Sequence, residues 1–261
     1  MHDQARSGDG ATIRWTTQGS GPPLVLVPGG LGGENAFAPL VDLLSVRLRC
    51  VTMGRRGKGF SDDGPSYSFE REYEDVAAVL DAVGPPRLVF GQSSGAICAL
   101  GAALSSRVDK LVLVEPPLPL AGPVIDPDQL TAVQGALEQE GAEAALVIAM
   151  RYAIQMEPTA IERRRAGPGW QGEVSRGPAW LRELPEINRL PADVERYRAI
   201  TAPTLLVYGT ATQDHHRRAV EALGDAMPHA RVAAFAGYGH DVANAAAVEV
   251  AAAVLEFLGD A

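Results

Sequence analysis

Cysteine, basic charge and long apolar stretches are scarce in this 261-residue chain. Its two cysteines, Cys50 and Cys98, are too few for a disulfide framework, which favours a reducing compartment. The net charge is −9 and no basic cluster is evident, which argues against nucleic acid or an anionic membrane as a partner. No apolar run reaches the roughly 18 residues of a membrane span, and the first residues contain no apolar signal core. Together these absences predict a cytoplasmic, water-soluble protein.

Short apolar runs alternate with segments of helical spacing over most of the chain. The runs are rich in β-branched residues, which is typical of strands buried on both faces of a parallel sheet. They lie at residues 24–27, 50–53, 87–90, 111–114, 204–208 and 231–235. Helical spacing follows at residues 73–83, 94–104, 217–227 and 245–258. This alternation predicts an α/β fold with a mostly parallel, doubly wound sheet, and residues 11–18 are predicted to form an antiparallel hairpin at its edge.

Residues 116–202 interrupt this alternation. They contain no run typical of a buried strand, and they carry proline and glycine breaks between helical segments near residues 129–140 and 144–156. The pattern predicts a helical insertion between two strands. The remaining residues, 1–115 and 203–261, are therefore predicted to form the α/β core.

A Gly-x-Ser-x-Gly motif stands where the strand at 87–90 passes into the next helix. Its serine is Ser93, and the two glycines are Gly91 and Gly95. A serine on such a sharp turn has strained backbone angles, and glycine two residues away on either side relieves the crowding. The hydroxyl then stands above a helix N-terminus, where developing negative charge is stabilised. This context predicts that Ser93 is a nucleophile.

With this motif the chain resembles the α/β-hydrolase superfamily over nearly all of its length. Three further segments carry the resemblance: Pro28-Gly29-Gly30, Arg56-Gly57-Lys58-Gly59-Phe60-Ser61, and Gly237-Tyr238-Gly239-His240. The resemblance implies an α/β-hydrolase fold in which residues 116–202 form a helical cap. It also implies chemistry without a cofactor or metal ion.

The nucleophile needs a base and an orienting acid. His240 follows the last predicted strand in a glycine-rich loop, at the sheet edge where Ser93 lies, and is the predicted base. Most of the superfamily places the acid in a Gly-x-x-Asp loop, but this chain has Thr212 at that position, with Asp214 two residues later. Glu115 ends the strand after the motif helix, where a minority of the superfamily carries its acid. We favour Glu115 and keep Asp214, which has the character of a helix N-cap, as the alternative.

The resemblance also implies an oxyanion hole and a family of substrates. The donors would be the backbone N–H groups of Gly30 and Ser94. The chain is similar to zearalenone-type lactonases in its Val-Pro-Gly-Gly-Leu-Gly and Gly-x-Ser-Ser-Gly-Ala segments and in the glutamate after the next strand. In that family a cap tryptophan lies over the ligand, at a place that falls near Trp180. Met150 and Met156 are further candidates for the pocket wall.

These residues predict a serine hydrolase that cleaves a small-molecule ester or lactone through an acyl-enzyme. Three alternatives use the same triad: hydrolysis of a C–C bond, perhydrolysis and acyl transfer. A ligand-binding receptor of the same fold is the alternative outside enzymes. His215 and His216, beside Asp214, lack a metal-binding pattern and are predicted to lie on the surface.

Overall fold

The computed structural model describes residues 2–259, which form an eight-stranded sheet with helices on both faces. The strands are β1 (Asp3–Arg6), β2 (Thr12–Gln18), β3 (Pro23–Val27), β4 (Arg49–Met53), β5 (Leu88–Gln92), β6 (Lys110–Val114), β7 (Thr204–Gly209) and β8 (Ala230–Phe235). Their order in space is β1-β2-β4-β3-β5-β6-β7-β8. From β4 onward every neighbouring pair is parallel, and β1 and β2 are antiparallel at one edge. The predicted α/β fold is confirmed. Residues 11–18 do not form a hairpin by themselves, because they contain the single strand β2, whose antiparallel partner at the sheet edge is β1.

The helices belong to two layers and one insertion. They are α1 (Ala38–Leu44), α2 (Phe69–Val83), α3 (Ser94–Ser105), α4 (Pro127–Gln139), α5 (Ala142–Tyr152), α6 (Pro158–Arg165), α7 (Trp170–Leu181), α8 (Glu183–Arg189), α9 (Asp214–Ala226), α10 (Val242–Ala245) and α11 (Ala247–Gly259). A short 3-10 helix spans Val194–Ala199. Helices α2, α3 and α9 cover one face of the sheet, and α1, α10 and α11 cover the other.

Both faces of the central strands are buried, which explains their uninterrupted apolar sequences. In β3, Val25 packs toward the α2, α3 and α9 layer, while Leu24 and Leu26 pack toward the opposite layer. Strand β8 differs because it forms the outer edge, and its Val232 is 48% exposed. The prediction that the run at 231–235 is a fully buried strand is therefore wrong.

Helices α4 to α8 follow β6 and precede β7. They enclose an apolar cluster of their own, which includes Leu146, Met150 and Trp170. The helical segments predicted near 129–140 and 144–156 correspond to α4 and α5. Because β6 and β7 are parallel, the chain leaves the sheet at the carboxyl end of β6 and returns at the amino end of β7. A contact from α7 places part of the insertion beside the carboxyl edge, since Arg176 donates to the carbonyl oxygen of Leu31 in the loop after β3.

None of the helices within residues 2–259 combines the length and the apolar character needed to cross a membrane.

Candidate active site

Ser93 occupies a strained turn between β5 and α3. Its φ of 54° and ψ of −128° are unusual for a residue with a side chain. The two flanking positions require glycine because neighbouring backbone atoms leave no room for a Cβ. A Cβ on Gly91 would lie 2.7 Å from the Cα of Ala96, and one on Gly95 would overlap the carbonyl oxygen of Val27. The turn therefore holds the Ser93 hydroxyl at the carboxyl edge of the sheet.

A continuous chain of hydrogen bonds joins the three residues predicted to carry the chemistry. The Oγ of Ser93 lies 3.1 Å from Nε2 of His240, and Nδ1 of the same ring lies 2.6 Å from Oε2 of Glu115. Glu115 is fully buried and has a positive φ of 47°. With Nδ1–H donating to the carboxylate, the Nε2 lone pair faces the serine hydroxyl. This is the tautomer that accepts a proton from Ser93.

The Glu115 carboxylate is held by two further donors. The backbone N–H of Gly209 donates to Oε1 at 2.8 Å, and the Thr212 hydroxyl donates to Oε2 at 2.7 Å. Thr212 is the residue at the position where most of the superfamily carries aspartate. Its hydroxyl instead binds the carboxylate of Glu115, which follows a different strand, β6. The sequence did not predict this contact.

Asp214 does not join this chain. It is exposed, forms an ion pair with Arg217 and begins α9, while Gln213 occupies the N-cap position. The prediction that Asp214 caps the helix is therefore wrong. Asp241, the neighbour of His240, is exposed and accepts a hydrogen bond from Asn244 at 2.9 Å.

The two predicted oxyanion donors belong to two segments that adjoin Ser93. Ser94 is the first residue of α3, and Gly30 lies in the loop after β3. That loop packs closely on the nucleophile, since a Cβ on Gly29 would lie 3.2 Å from the Cβ of Ser93. The indole of Trp180, on α7, lies against Gly30 and leaves no room for a side chain there.

Two cavities meet at Ser93. The larger encloses about 960 Å³, and its wall includes Ser93, His240, Met156 and Trp180. The smaller, called the inner cavity below, encloses about 20 Å³. Its lining residues are Ser93, Ser94, Pro117, Val124, Ile125, Ala153, Ile154, Trp180, Leu184, Ile187 and His216. Met150 lines neither cavity: it is fully buried among the helices of the insertion, in contrast to the expectation from sequence.

His216 is buried beside the hydrogen-bonded chain, so the prediction of a surface position is wrong for this residue. It is 2% exposed, and its ring stacks on that of His240 with centroids 4.1 Å apart and planes 11° apart. Ligand atoms of Glu115, His216 and His240 lie within 4.8 Å of one another. A single metal ion would have to lie in both imidazole planes, and nearly parallel planes at this separation do not meet at such a point. The stacked arrangement therefore does not fit a metal centre.

Four buried charges lie behind the site and are called the four-charge cluster below. Arg55 bonds Glu72 through Nε at 2.9 Å and lies 3.2 Å from Glu183, which also pairs with Lys58. All four side chains are at most 1% exposed. Burial, and then the neighbouring Arg55 charge, lower the pKa of Lys58. The cluster is balanced, with two positive and two negative groups.

Arg55 connects this cluster to both halves of the predicted oxyanion hole. Its Nη1 donates to the hydroxyl of Ser94 at 2.8 Å and to the carbonyl oxygen of Pro28 at 3.3 Å. One guanidinium thus fixes the start of α3 relative to the loop after β3.

Known proteins share this fold and sequence pattern. Residues 24–253 match the model of the Alpha/beta hydrolase family, and the chain belongs to this family. An alpha/beta hydrolase from Sphaerobacter thermophilus is 32% identical, with a TM-score of 0.85 over 98% of this chain and 100% of that one. A cis-3-alkyl-4-alkyloxetan-2-one decarboxylase from Shewanella oneidensis is 25% identical over 97% of this chain and 86% of its own length. An enol-lactonase from Burkholderia xenovorans has the same fold, with 19% identity and a TM-score of 0.77 over 99% of this chain and 100% of its own.

Proposed function

We propose that this protein is a cofactor-free serine hydrolase that cleaves a carboxylic ester or a lactone. The hydrogen-bonded chain from Ser93 through His240 to Glu115 carries the proposal. Ser93 attacks the carbonyl carbon while His240 takes its proton, and Glu115 stabilises the resulting imidazolium. His240 then returns the proton to the leaving alcohol, and water hydrolyses the acyl-enzyme through the same base.

The oxyanion of the tetrahedral intermediate would be bound by the amides of Gly30 and Ser94. Arg55 supports this role because it ties together the segments that carry both amides. Such preorganised donors need no rearrangement when charge develops, which is the main source of their effect on rate.

A lactone is the favoured substrate, including a macrolactone of zearalenone type. The larger cavity, at about 960 Å³, has room for a drug-sized molecule, and Trp180 and Met156 give it apolar wall area. The names of two similar proteins, the oxetan-2-one decarboxylase and the enol-lactonase, also refer to cyclic esters. In this proposal residues 116–202 act as the cap that shapes the pocket, because Trp180 and Met156 both belong to them.

Covalent labelling tests the nucleophile. We expect a fluorophosphonate probe to modify the wild-type protein at Ser93, and Ser93→Ala to abolish both labelling and ester hydrolysis while the protein stays folded. The loss of a triad nucleophile lowers kcat by several orders of magnitude. Activity near the wild-type level in pure Ser93→Ala protein would falsify the proposal. Identification of the second product, an alcohol or a protonated carbon, then shows whether an ester or a C–C bond is cleaved.

A further inference from the structure

His216 is a buried polar residue that the proposed reaction does not use. Neither ring nitrogen has a hydrogen-bond partner within the described residues, 2–259. Burial, and then the neighbouring rings of His240 and His215, hold the pKa of His216 well below its usual range. The ring is therefore neutral and offers one N–H donor and one nitrogen acceptor.

Stacking on His240 does not account for a histidine at this position. A phenylalanine would stack on the same imidazole without burying polar atoms. A buried donor or acceptor without a partner costs about 1–3 kcal/mol. Buried polar groups of this kind are rare in folded proteins and call for an explanation. A hydrogen-bonding partner from outside the chain would offset this cost.

The inner cavity brings His216 next to the reacting centre. Ser93 and His216 both line it, and the Ser93 hydroxyl is already bonded to His240. The Ser94 hydroxyl is bonded to Arg55. His216 is therefore the residue of this lining whose fully buried polar side-chain atoms lack a partner within residues 2–259. Apart from the two serines and the Trp180 indole N–H, the other lining side chains carry no polar atoms.

We propose that His216 binds a hydroxyl group that the substrate carries close to its scissile carbonyl. The inference rests on the proposed function and adds the substrate class to it: hydroxylated esters or lactones. The inner cavity, at about 20 Å³, has room for one group of the size of water. A half-turn of the imidazole about its Cβ–Cγ bond exchanges each nitrogen with a carbon, so a nitrogen can face the group in the cavity.

A hydroxyl matches this site better than a charged group. It both donates and accepts, which complements the single donor and single acceptor of a neutral imidazole. A carboxylate would instead call for a cationic partner, and the apolar lining resists protonation of His216. The small volume and the shared wall with Ser93 favour a hydroxyl on carbon 2 or carbon 3 of the acyl group.

The test pairs a variant with a matched set of substrates. The kcat/KM values of ethyl butyrate, ethyl 2-hydroxybutyrate and ethyl 3-hydroxybutyrate are compared in the wild type and in His216→Phe. We expect one hydroxylated ester to exceed the parent by about tenfold in the wild type, because the binding site is then fully hydrogen-bonded. In His216→Phe, which keeps an aromatic ring stacked on His240, the kcat/KM of that hydroxylated ester divided by the kcat/KM of ethyl butyrate falls to about one.

His215→Phe is the control, because His215 contacts the ring of His216 and is not part of the inner cavity lining. It should keep the wild-type ratio. An unchanged ratio in His216→Phe, or the absence of a hydroxyl preference in the wild type, overturns the inference. An equal loss of kcat/KM on all three esters in His216→Phe also overturns the inference, since it indicates that His216 only positions His240. If His216→Phe does not fold in thermal melting, His216→Leu takes its place.

Calorimetry with free acids separates this inference from the proposed function. Butyrate and its 2-hydroxy and 3-hydroxy derivatives are titrated into both proteins. Tighter binding of a hydroxy acid that depends on His216, in a protein that hydrolyses no ester, supports the binding site and contradicts the hydrolase. Hydrolysis of all three esters with neither a kinetic nor a calorimetric preference contradicts the binding site alone.

Discussion

Glu115 and Asp214 are two carboxylates in opposite surroundings. Glu115 is fully buried and accepts hydrogen bonds from Gly209, Thr212 and His240. Asp214 is exposed and paired with a surface arginine. A buried charge that orients an imidazole affects the reaction, whereas an exposed ion pair contributes little free energy.

We therefore expect Glu115→Gln to lower kcat by roughly a thousandfold or more, because the amide favours the wrong tautomer of His240. Asp214→Asn should keep nearly full activity, with at most about 1 kcal/mol of lost stability. Steady-state kinetics of both variants on one ester, with thermal melting as a check on folding, provide the measurement. An inactive Asp214→Asn and an active Glu115→Gln would assign the acid to the other carboxylate.

The sequence led to Ser93, His240 and Glu115 because each has a local signal at the end of a predicted strand. Thr212 and His216 have no such signal. The role of Thr212 depends on a carboxylate 97 residues away in sequence, and the ring of His216, in the first turn of α9, packs on His240, 24 residues further along the chain. Contacts between distant segments of this kind are not encoded in local pattern or spacing.

At the scale of elements, the turn into α3 depends on backbone contacts rather than side chains. We expect Gly95→Ala to lower both stability and activity, because its Cβ would overlap backbone atoms of Val27 and Pro28. Gly135→Ala is the matched control. It lies within α4 with no atom near the added Cβ, and it should raise Tm by a few degrees through helix propensity. Thermal melting of both variants compares them, and equal Tm changes would contradict the argument.

Helix α7 carries Trp180 at one end and Trp170 at the other. The two indoles differ in place: Trp180 lines both cavities, while Trp170 donates to Glu143 within the insertion. We expect Trp180→Ala to lower kcat/KM more for bulky aromatic esters than for short-chain esters, because it removes wall area. Trp170→Ala should leave the ratio between the two ester types unchanged. Identical ratios in both variants would show that Trp180 serves packing alone.

Strands were easier to predict than the helices of the insertion. Burial on both faces gives the strands short apolar runs with clear ends, and the observed bounds of β3 to β7 differ from the runs by a residue or two. Helix α7 contains Pro178, which in sequence favours a break, yet the helix continues through it, and both of its indoles pack in the apolar cluster of the insertion. The helix predicted at 245–258 corresponds to α11, and the short α10 precedes it.

At the scale of the whole molecule, the buried histidine makes stability depend on pH in a specific window. Burial lowers the pKa of His216, so below about pH 6.5 the unfolded chain binds a proton there that the folded protein does not. Stability therefore falls as pH falls, by up to about 1.4 kcal/mol per pH unit. We expect the decline in Tm between pH 6.5 and 5 to be shallower in His216→Phe.

Two carboxylates act in a lower window. Arg56 lowers the pKa of Asp9, and the backbone N–H of Arg87 lowers that of Asp109, so their contributions are lost only below about pH 4. Wild type and His216→Phe share these groups, so any difference in slope between their melting curves belongs to His216. Parallel curves from pH 8 downward would show that His216 is not the group that titrates.

The four-charge cluster also has a consequence for the order in which the chain folds. Arg55, Lys58 and Glu72 lie in the first third of the sequence, but Glu183 arrives only with α8. Until that helix docks, the first three side chains hold an excess positive charge, and burying it uncompensated would cost several kcal/mol. We therefore expect water to reach the charged side chains between β4 and α2 until the insertion has packed against them. Because Arg55 also bonds Ser94, the turn that holds Ser93 should reach its final geometry only after α8 has docked. A nascent chain that lacks α8 should therefore have no complete active site.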